Sequence, residues 1–297
     1  MTDYGHDLAF GTFITPSHAA GADPLLPVRL ARLSEELGLD VVAFQDHPYQ
    51  PAHLDTWTLL SWVAAQTSRV TVAGAVLNLP LRPPAVLARA ATSLDLLSGG
   101  RLALGLGAGA YWDGIVAMGG RRLTGGDAVD ALTEALEIIR GIWNAAERRA
   151  LRVEGEHYRI VGAKRGPAPA HPVPVWLGAY KPRMLRLVGE QADGWLPSQA
   201  FLGDGDLARG NAAVDEAALA AGRQPAAVRR ILNLAAPPGS TQQWVDEIVV
   251  LALHDGVGTF LAGGDDDAAV RRFALEVAPA VREAVAAERR RTAAGPA

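Results

Sequence analysis

Short apolar runs recur through this chain without polar alternation, each broken by Gly, Pro or a polar residue before helical spacing begins. Eight can be read: Leu8 to Ile14, Val41 to Phe44, Val70 to Val76, Arg101 to Gly105, Val175 to Leu177, Gly194 to Leu196, Arg230 to Leu234 and Thr259 to Ala262. Strands covered on both faces read this way, because neither face meets water. Between the runs, apolar residues return every three or four positions. Leu26, Leu30, Leu33 and Leu37 do so ahead of Gly38, a helix stop. Leu59, Leu60 and Val63 follow in Thr56 to Gln66, and Val86, Leu87, Ala90 and Leu94 follow Pro83-Pro84. Leu132, Leu136, Ile139 and Trp143 mark one buried face of a long helix. Eight strand–helix units with no dividing linker predict an α/β fold, a (β/α)8 TIM barrel. One domain is expected over residues 1–286, with a frayed tail at 287–297. A small hairpin around Gly155, from Val153 to Ile160, is inserted between the fourth and fifth strands.

Composition narrows the chemistry. The 297 residues carry a net charge of -4 and no basic stripe, which argues against nucleic acid or an anionic membrane as partner. No apolar run approaches the roughly 20 residues that span a bilayer. The first residues, MTDYGHDLAFG, do not read as a secretory signal. With no cysteine, disulfides, thiolate metal sites and cysteine nucleophiles are excluded, and a cytoplasmic location is expected. Metal-dependent hydrolysis would need converging His and carboxylate ligands. The first strand offers no His-x-His, and His53, His157 and His171 are poorly placed, so no metal site is expected.

Ligands in barrels bind at the carboxyl ends of the strands. In DVVAFQDHPYQP the second strand stops at Gln45, and Pro48 and Pro51 prevent it from continuing. An acid, Asp46, and an imidazole, His47, therefore stand at the rim. The other exits bring Thr12, Val76-Leu77-Asn78, Gly107 to Ala110, Gly178 to Lys181, Trp195 to Ser198 and Gly263-Gly264. Phe13, Tyr49, Tyr111, Trp112, Tyr180 and Trp195 make the expected mouth aromatic, which suits a planar ring system. Among these, Phe13, Tyr49, Trp112 and Trp195 are the expected substrate contacts. The GLGAG exit lacks the spacing and the following acid of a dinucleotide fingerprint. Its glycines are expected to let the backbone approach something flat.

Two exits offer room for an anion. Gly263-Gly264 is followed by Asp265, Asp266 and Asp267, which would repel a phosphate. Gly178 to Lys181 opens a helix at Pro182, where free N–H groups and the helix dipole favour an anion. Lys181, one of two lysines in the chain with Lys164, adds a positive charge there. The second exit is preferred.

Taken together, the chain resembles the bacterial-luciferase-like superfamily of flavin and deazaflavin oxidoreductases. The resemblance rests on LGLDVVAFQDHPYQP, on the block from DTWTLLSWVAAQ to RLALGLGAG, on the GEHYRI hairpin and on PVPVWLGAYKPRML followed by ADGWLPS. It runs from about Leu8 to Trp195 and continues more weakly to the end. It implies a barrel that binds deazaflavin coenzyme F-420 or, alternatively, reduced FMN, with the cofactor phosphate near the fifth strand. Gly178, Ala179, Tyr180 and Lys181 would hold that phosphate region, and Gly107, Ala108 and Asn78 would contact the cofactor. Ala75-Val76 would form the non-prolyl cis peptide that many members place under the ring. Asp46 and His47 match the pair that the deazaflavin branch uses beside the reactive carbon. Glucose-6-phosphate dehydrogenases of that branch carry a glutamate where this chain has Ala110. Luciferases place an FMN-phosphate arginine where it has Ala108. The implied activity is hydride transfer between F-420 and a small organic substrate, with an FMN-dependent monooxygenase as alternative and a homodimer as the assembly.

Overall fold

The computed structural model describes residues 3–17, 23–235 and 239–294. Its strands in chain order are β1 (Ala9–Ile14), β2 (Val41–Phe44), β3 (Thr71–Gly74), β4 (Leu77–Asn78), β5 (Leu102–Gly107), β6 (Leu151–Glu154), β7 (Arg159–Ala163), β8 (Val175–Leu177), β9 (Gly194–Trp195), β10 (Arg229–Asn233) and β11 (Thr259–Gly263). Eight of them, β1, β2, β3, β5, β8, β9, β10 and β11, run parallel in a closed ring. The ring is sealed where β1 pairs with β11 and β3 with β5. β4 is a two-residue continuation beyond β3 that pairs with β5. The expected (β/α)8 barrel is therefore the observed fold. The inserted hairpin is the antiparallel β6–β7 pair.

The helices that cover the ring are α1 (Leu26–Glu36), α2 (Thr56–Gln66), α3 (Pro84–Ser98), α4 (Trp112–Ala117), α5 (Gly125–Trp143), α6 (Pro182–Gln191), α7 (Asp206–Ala220), α8 (Thr241–Leu253), α9 (Asp267–Arg272) and α10 (Ala278–Ala294). No helix among the described residues is long and apolar enough to cross a membrane.

Strand parity explains why the runs lack alternation. Along β2, Val42 and Phe44 join the large core between ring and helices. Val41 and Ala43 point the other way, into a small core inside the ring with Ala73, Ala103, Trp176, Ile231 and Leu261. Both faces are apolar because both are sealed. Fully burying a side chain such as Phe44 is worth about 1.5–3 kcal/mol. Inside the ring, alanines on β2, β3 and β5 leave space that Trp176 of β8 fills. The ring is tight where β3 meets β5. A Cβ on Gly105 would lie 1.9 Å from the carbonyl oxygen of Gly74.

Three expectations need correction. The third run does not continue as one strand to Val76. Regular pairing ends at Gly74, the Ala75–Val76 peptide is cis, and pairing resumes at Leu77. Val86 does not face inward and is 66% exposed. The buried stripe of α3 is Leu87, Ala88, Ala91, Leu94 and Asp95. The tail is not frayed over 287–294. α10 runs to Ala294, and Arg289 binds the Asp3 carboxylate at 2.8 Å and donates to the carbonyl of His6 at 3.0 Å. Residues 295–297 lie outside the described residues.

Candidate active site

A cavity of about 590 Å³ opens at the carboxyl end of the barrel. His47, Asp46, Asn78, the Ala75–Val76 peptide, Gly107, Ala108, Gly178 and Lys181 all border it. Exits separated by more than 130 positions in the sequence thus meet around one space, because every parallel strand ends on the same side of the ring.

His47 is half-buried. Its Nδ1 lies 2.7 Å from the Tyr49 hydroxyl oxygen, and its ring meets the edge of Tyr111 at 5.5 Å between centroids. Burial pushes its pKa below the ordinary 6.5, and the neighbouring His53 adds to this against the opposing charge of Asp46. Burial, followed by the nearby Tyr111 and Asp46, pushes the Tyr49 phenol up to about 12. At neutral pH both groups are therefore uncharged. Where Nδ1–H donates to the Tyr49 hydroxyl oxygen, the Nε2 lone pair is free to accept a proton.

Asp46 does not stand free beside His47. It is 3% exposed, and both oxygens are taken. Arg82 donates from Nε to Oδ2 and from Nη2 to Oδ1, each at 2.8 Å, and the Asn78 backbone N–H donates to Oδ2 at 2.9 Å. Arg82 Nη2 also reaches Asp55 at 2.9 Å, the residue that caps α2 through the Thr58 N–H. Burial disfavours the guanidinium charge, but the bonds to Asp46 and Asp55 outweigh it and hold the Arg82 pKa above its usual value. The pair ties the exits of β2 and β3 together. Arg82 carried no sequence signal that singled it out.

At the β3 exit, Asn78 is 7% exposed and its Oδ1 has no hydrogen-bond partner. Across the ring, α6 starts with Pro182 after Lys181, and no side chain caps its first turn. Lys181 itself is exposed and forms no ion pair among the described residues. Tyr180 accepts from the Ser198 N–H at 2.8 Å and meets Phe201 edge-on. Ala179 is buried beneath it.

The expected aromatic contacts divide. Phe13 and Tyr49 border the cavity, as do Tyr111 and Tyr180. Trp195 does not: it is 1% exposed and packs outward under α7, where a Cβ on Gly210 would come within 2.2 Å of its ring. Its Nε1 donates to the Ala179 carbonyl at 2.9 Å, so it braces the β8 exit from behind. Trp112 begins α4 and packs its ring over Gly109 rather than on the cavity wall. The glycines of GLGAG also serve the protein's own packing. Gly107 makes room for Val76, and Gly109, at φ +101°, for Pro80 and Trp112. Sequence reasoning missed Gln45, Met184, Ala200 and Asn233 on the wall. Away from the cavity, Asp127, Asp130 and His157 approach one another at the surface, but Asp127 caps α5 and Asp130 binds Arg183.

A model of the luciferase-like monooxygenase family matches residues 9–296. The chain belongs to that family. Among curated luciferase-like relatives, an F-420-dependent glucose-6-phosphate dehydrogenase of Kineococcus radiotolerans is 35% identical over 191 residues, 60% of this chain and 55% of the relative. A 5,10-methylenetetrahydromethanopterin reductase of Archaeoglobus fulgidus is 31% identical over 180 residues, 61% of this chain and 51% of the relative. The chain thus spans about half the length of these curated relatives. A solved F-420-dependent secondary alcohol dehydrogenase, in complex with an F-420-acetone adduct, superposes with a TM-score of 0.82 at 17% identity. That superposition covers 93% of this chain and 99% of the other, and it shows the same barrel fold.

Proposed function

We propose that this chain is an oxidoreductase that transfers hydride between deazaflavin coenzyme F-420 and a small organic alcohol or carbonyl compound. One observation carries the proposal. His47, the unpartnered Asn78 acceptor and the Gly178–Lys181 helix start border the same cavity from three different exits. An exposed cation beside an uncapped helix start suits a phosphate, and a buried acceptor without a partner suits a ring N–H. Named relatives that use F-420 support the same choice.

When bound, the deazaflavin supplies the two-electron hydride chemistry. The rest falls to the protein. Lys181 and the first turn of α6 would hold the cofactor phosphate, and Gly107, Ala108 and the Ala75–Val76 segment would line its ring. Asn78 would accept from the ring edge. His47, uncharged at neutral pH, takes the proton of an alcohol or returns it to a carbonyl oxygen. Tyr49 fixes the ring of His47, and Tyr111 packs edge-on against it. Asp46 and Arg82 position this wall and take no part in proton transfer. The proposed working unit is a cytoplasmic homodimer, which light scattering and cell fractionation test.

The deciding experiment is a fluorescence-quenching titration with F-420 and with FMN. Saturable F-420 binding with weaker FMN binding is the expected result. Tight FMN binding without F-420 binding overturns it.

A further inference from the structure

A second buried acceptor on the cavity wall has no partner. Asn233 ends β10, which stands four strands around the ring from β3. It is 8% exposed, and its Oδ1 makes no hydrogen bond. Its backbone is fixed. The Asn233 N–H donates to the Pro197 carbonyl at 3.1 Å, and the residue bridges Ser198 in register. Its Nδ2 lies 3.5 Å from the Ser198 hydroxyl oxygen. Asn233 and Ser198 both border the cavity. Leaving a buried acceptor without a partner is unfavourable. In a residue that borders a ligand cavity, such an acceptor is one that a ligand's donor can satisfy once the amide turns toward it.

Charge limits what that donor can belong to. Every Lys and Arg of the chain lies within the described residues. Lys181 is the one such residue on the cavity wall, and it stands at the β8 exit, where the cofactor phosphate is proposed to bind. Arg82 is consumed by Asp46 and Asp55. Ser198, which bridges Asn233, is uncharged, and Leu196, Phe13 and Ala200 add apolar surface to the same cavity. A phosphate or carboxylate seated there would be desolvated without a counter-charge, which is strongly unfavourable.

We propose that Asn233 receives an uncharged O–H or N–H donor of the bound ligand, and that the substrate is electrically neutral at this wall. The proposal rests on the deazaflavin reading of the cavity. The donor has two sources, an N–H or O–H of the cofactor other than the one assigned to Asn78, or a hydroxyl of the substrate, and two arms separate them.

In the first arm, F-420 is titrated by fluorescence quenching into the wild type and Asn233→Leu, without substrate. Asn233→Ala replaces the leucine variant if its circular dichroism shows that it has not folded. A rise of about tenfold or more in Kd assigns the donor to the cofactor and supports the proposal. In the second arm, the F-420-loaded proteins are titrated with cyclohexanol and with glucose 6-phosphate, and the cofactor absorbance is followed. An unchanged cofactor Kd, with an increase of about fivefold or more in half-saturating cyclohexanol, assigns the donor to the substrate. No difference between wild type and variant in either arm overturns the proposal, as does saturable turnover of glucose 6-phosphate by the wild type. Failure of the wild type to bind F-420 is a separate result. It removes the deazaflavin reading itself, and this proposal with it.

Discussion

Arg82 grips Asp46 through two hydrogen bonds of 2.8 Å, one from Nε and one from Nη2, and so joins the wall that carries His47 to the wall that carries Asn78. The carboxylate is almost completely buried, so removing the guanidinium leaves a charge with a single backbone N–H for company. Breaking one side of a buried pair typically costs about 3–5 kcal/mol. Arg82→Met is expected to lower the unfolding free energy by that order in a denaturant titration. F-420 affinity should fall as well, because the Asp46 carboxylate that holds the Asn78 N–H loses its own anchor. If stability and affinity both stay at wild-type values, the pair has no positioning role.

His47 gives a pH dependence with a definite sign. Its pKa in the fold lies below the ordinary 6.5, chiefly through burial. Between the two values the unfolded chain binds the proton and the folded chain does not. The stability contribution of His47 is thus complete above 6.5 and is lost as pH falls through the folded pKa. In a proton NMR titration the His47 ring should reach its midpoint below 6.5. Alcohol oxidation, which needs the neutral ring, should keep its rate to a lower pH than an exposed histidine would allow. His47→Ala should cut turnover by about 10²–10⁴-fold while leaving the F-420 Kd within about threefold. A midpoint above 6.5, or a variant that retains full turnover, would take the proton-transfer role from His47.

The ring of strands and the set of exits were legible because double-sided burial leaves runs such as VVAF with no polar residue, and a proline or glycine must follow. What escaped depends on distances that sequence order does not encode. Asp46 finds Arg82 36 positions later, and only the closed ring brings them together. Trp195 sits at an exit, but its parity in a two-residue strand turns it outward under Gly210 rather than into the mouth. On α3, Val86 and Leu87 begin competing stripes. The stripe that is buried runs through Ala88 and Ala91, which carry little hydrophobic weight individually. Asn233 went unnoticed because a polar residue at a strand end is unremarkable until its oxygen is found buried and without a partner.

Trp195 was expected to touch substrate, and its observed place predicts something else. The indole N–H holds the Ala179 carbonyl at 2.9 Å, directly below the proposed phosphate site. Trp195→Phe keeps an aromatic ring but leaves that carbonyl unpaired, a loss of about 1–3 kcal/mol. Thermal or denaturant unfolding should register it, and the F-420 Kd should rise several-fold as the exit of β8 loosens. The concentration of alcohol giving half-maximal rate should not move. A change confined to that concentration would return Trp195 to the substrate wall.

Lys181 makes the last and most selective prediction. It is exposed and forms no ion pair among the described residues, so its charge is available to a ligand, and any attraction it exerts is screened by salt. Lys181→Ala should weaken F-420 binding by about tenfold at low ionic strength, where the Debye length reaches about 30 Å at 0.01 M, and by much less near 1 M, where it is about 3 Å. The deazaflavin chromophore stripped of its phosphate should bind wild type and variant alike, since the lost interaction has no partner on it. Asn78→Leu should do the reverse, weakening both ligands, because its acceptor is assigned to the ring edge. If Lys181→Ala weakens the phosphate-free chromophore as much as the intact cofactor, the phosphate does not bind at the start of α6, and the orientation of the ring across the cavity must be redrawn.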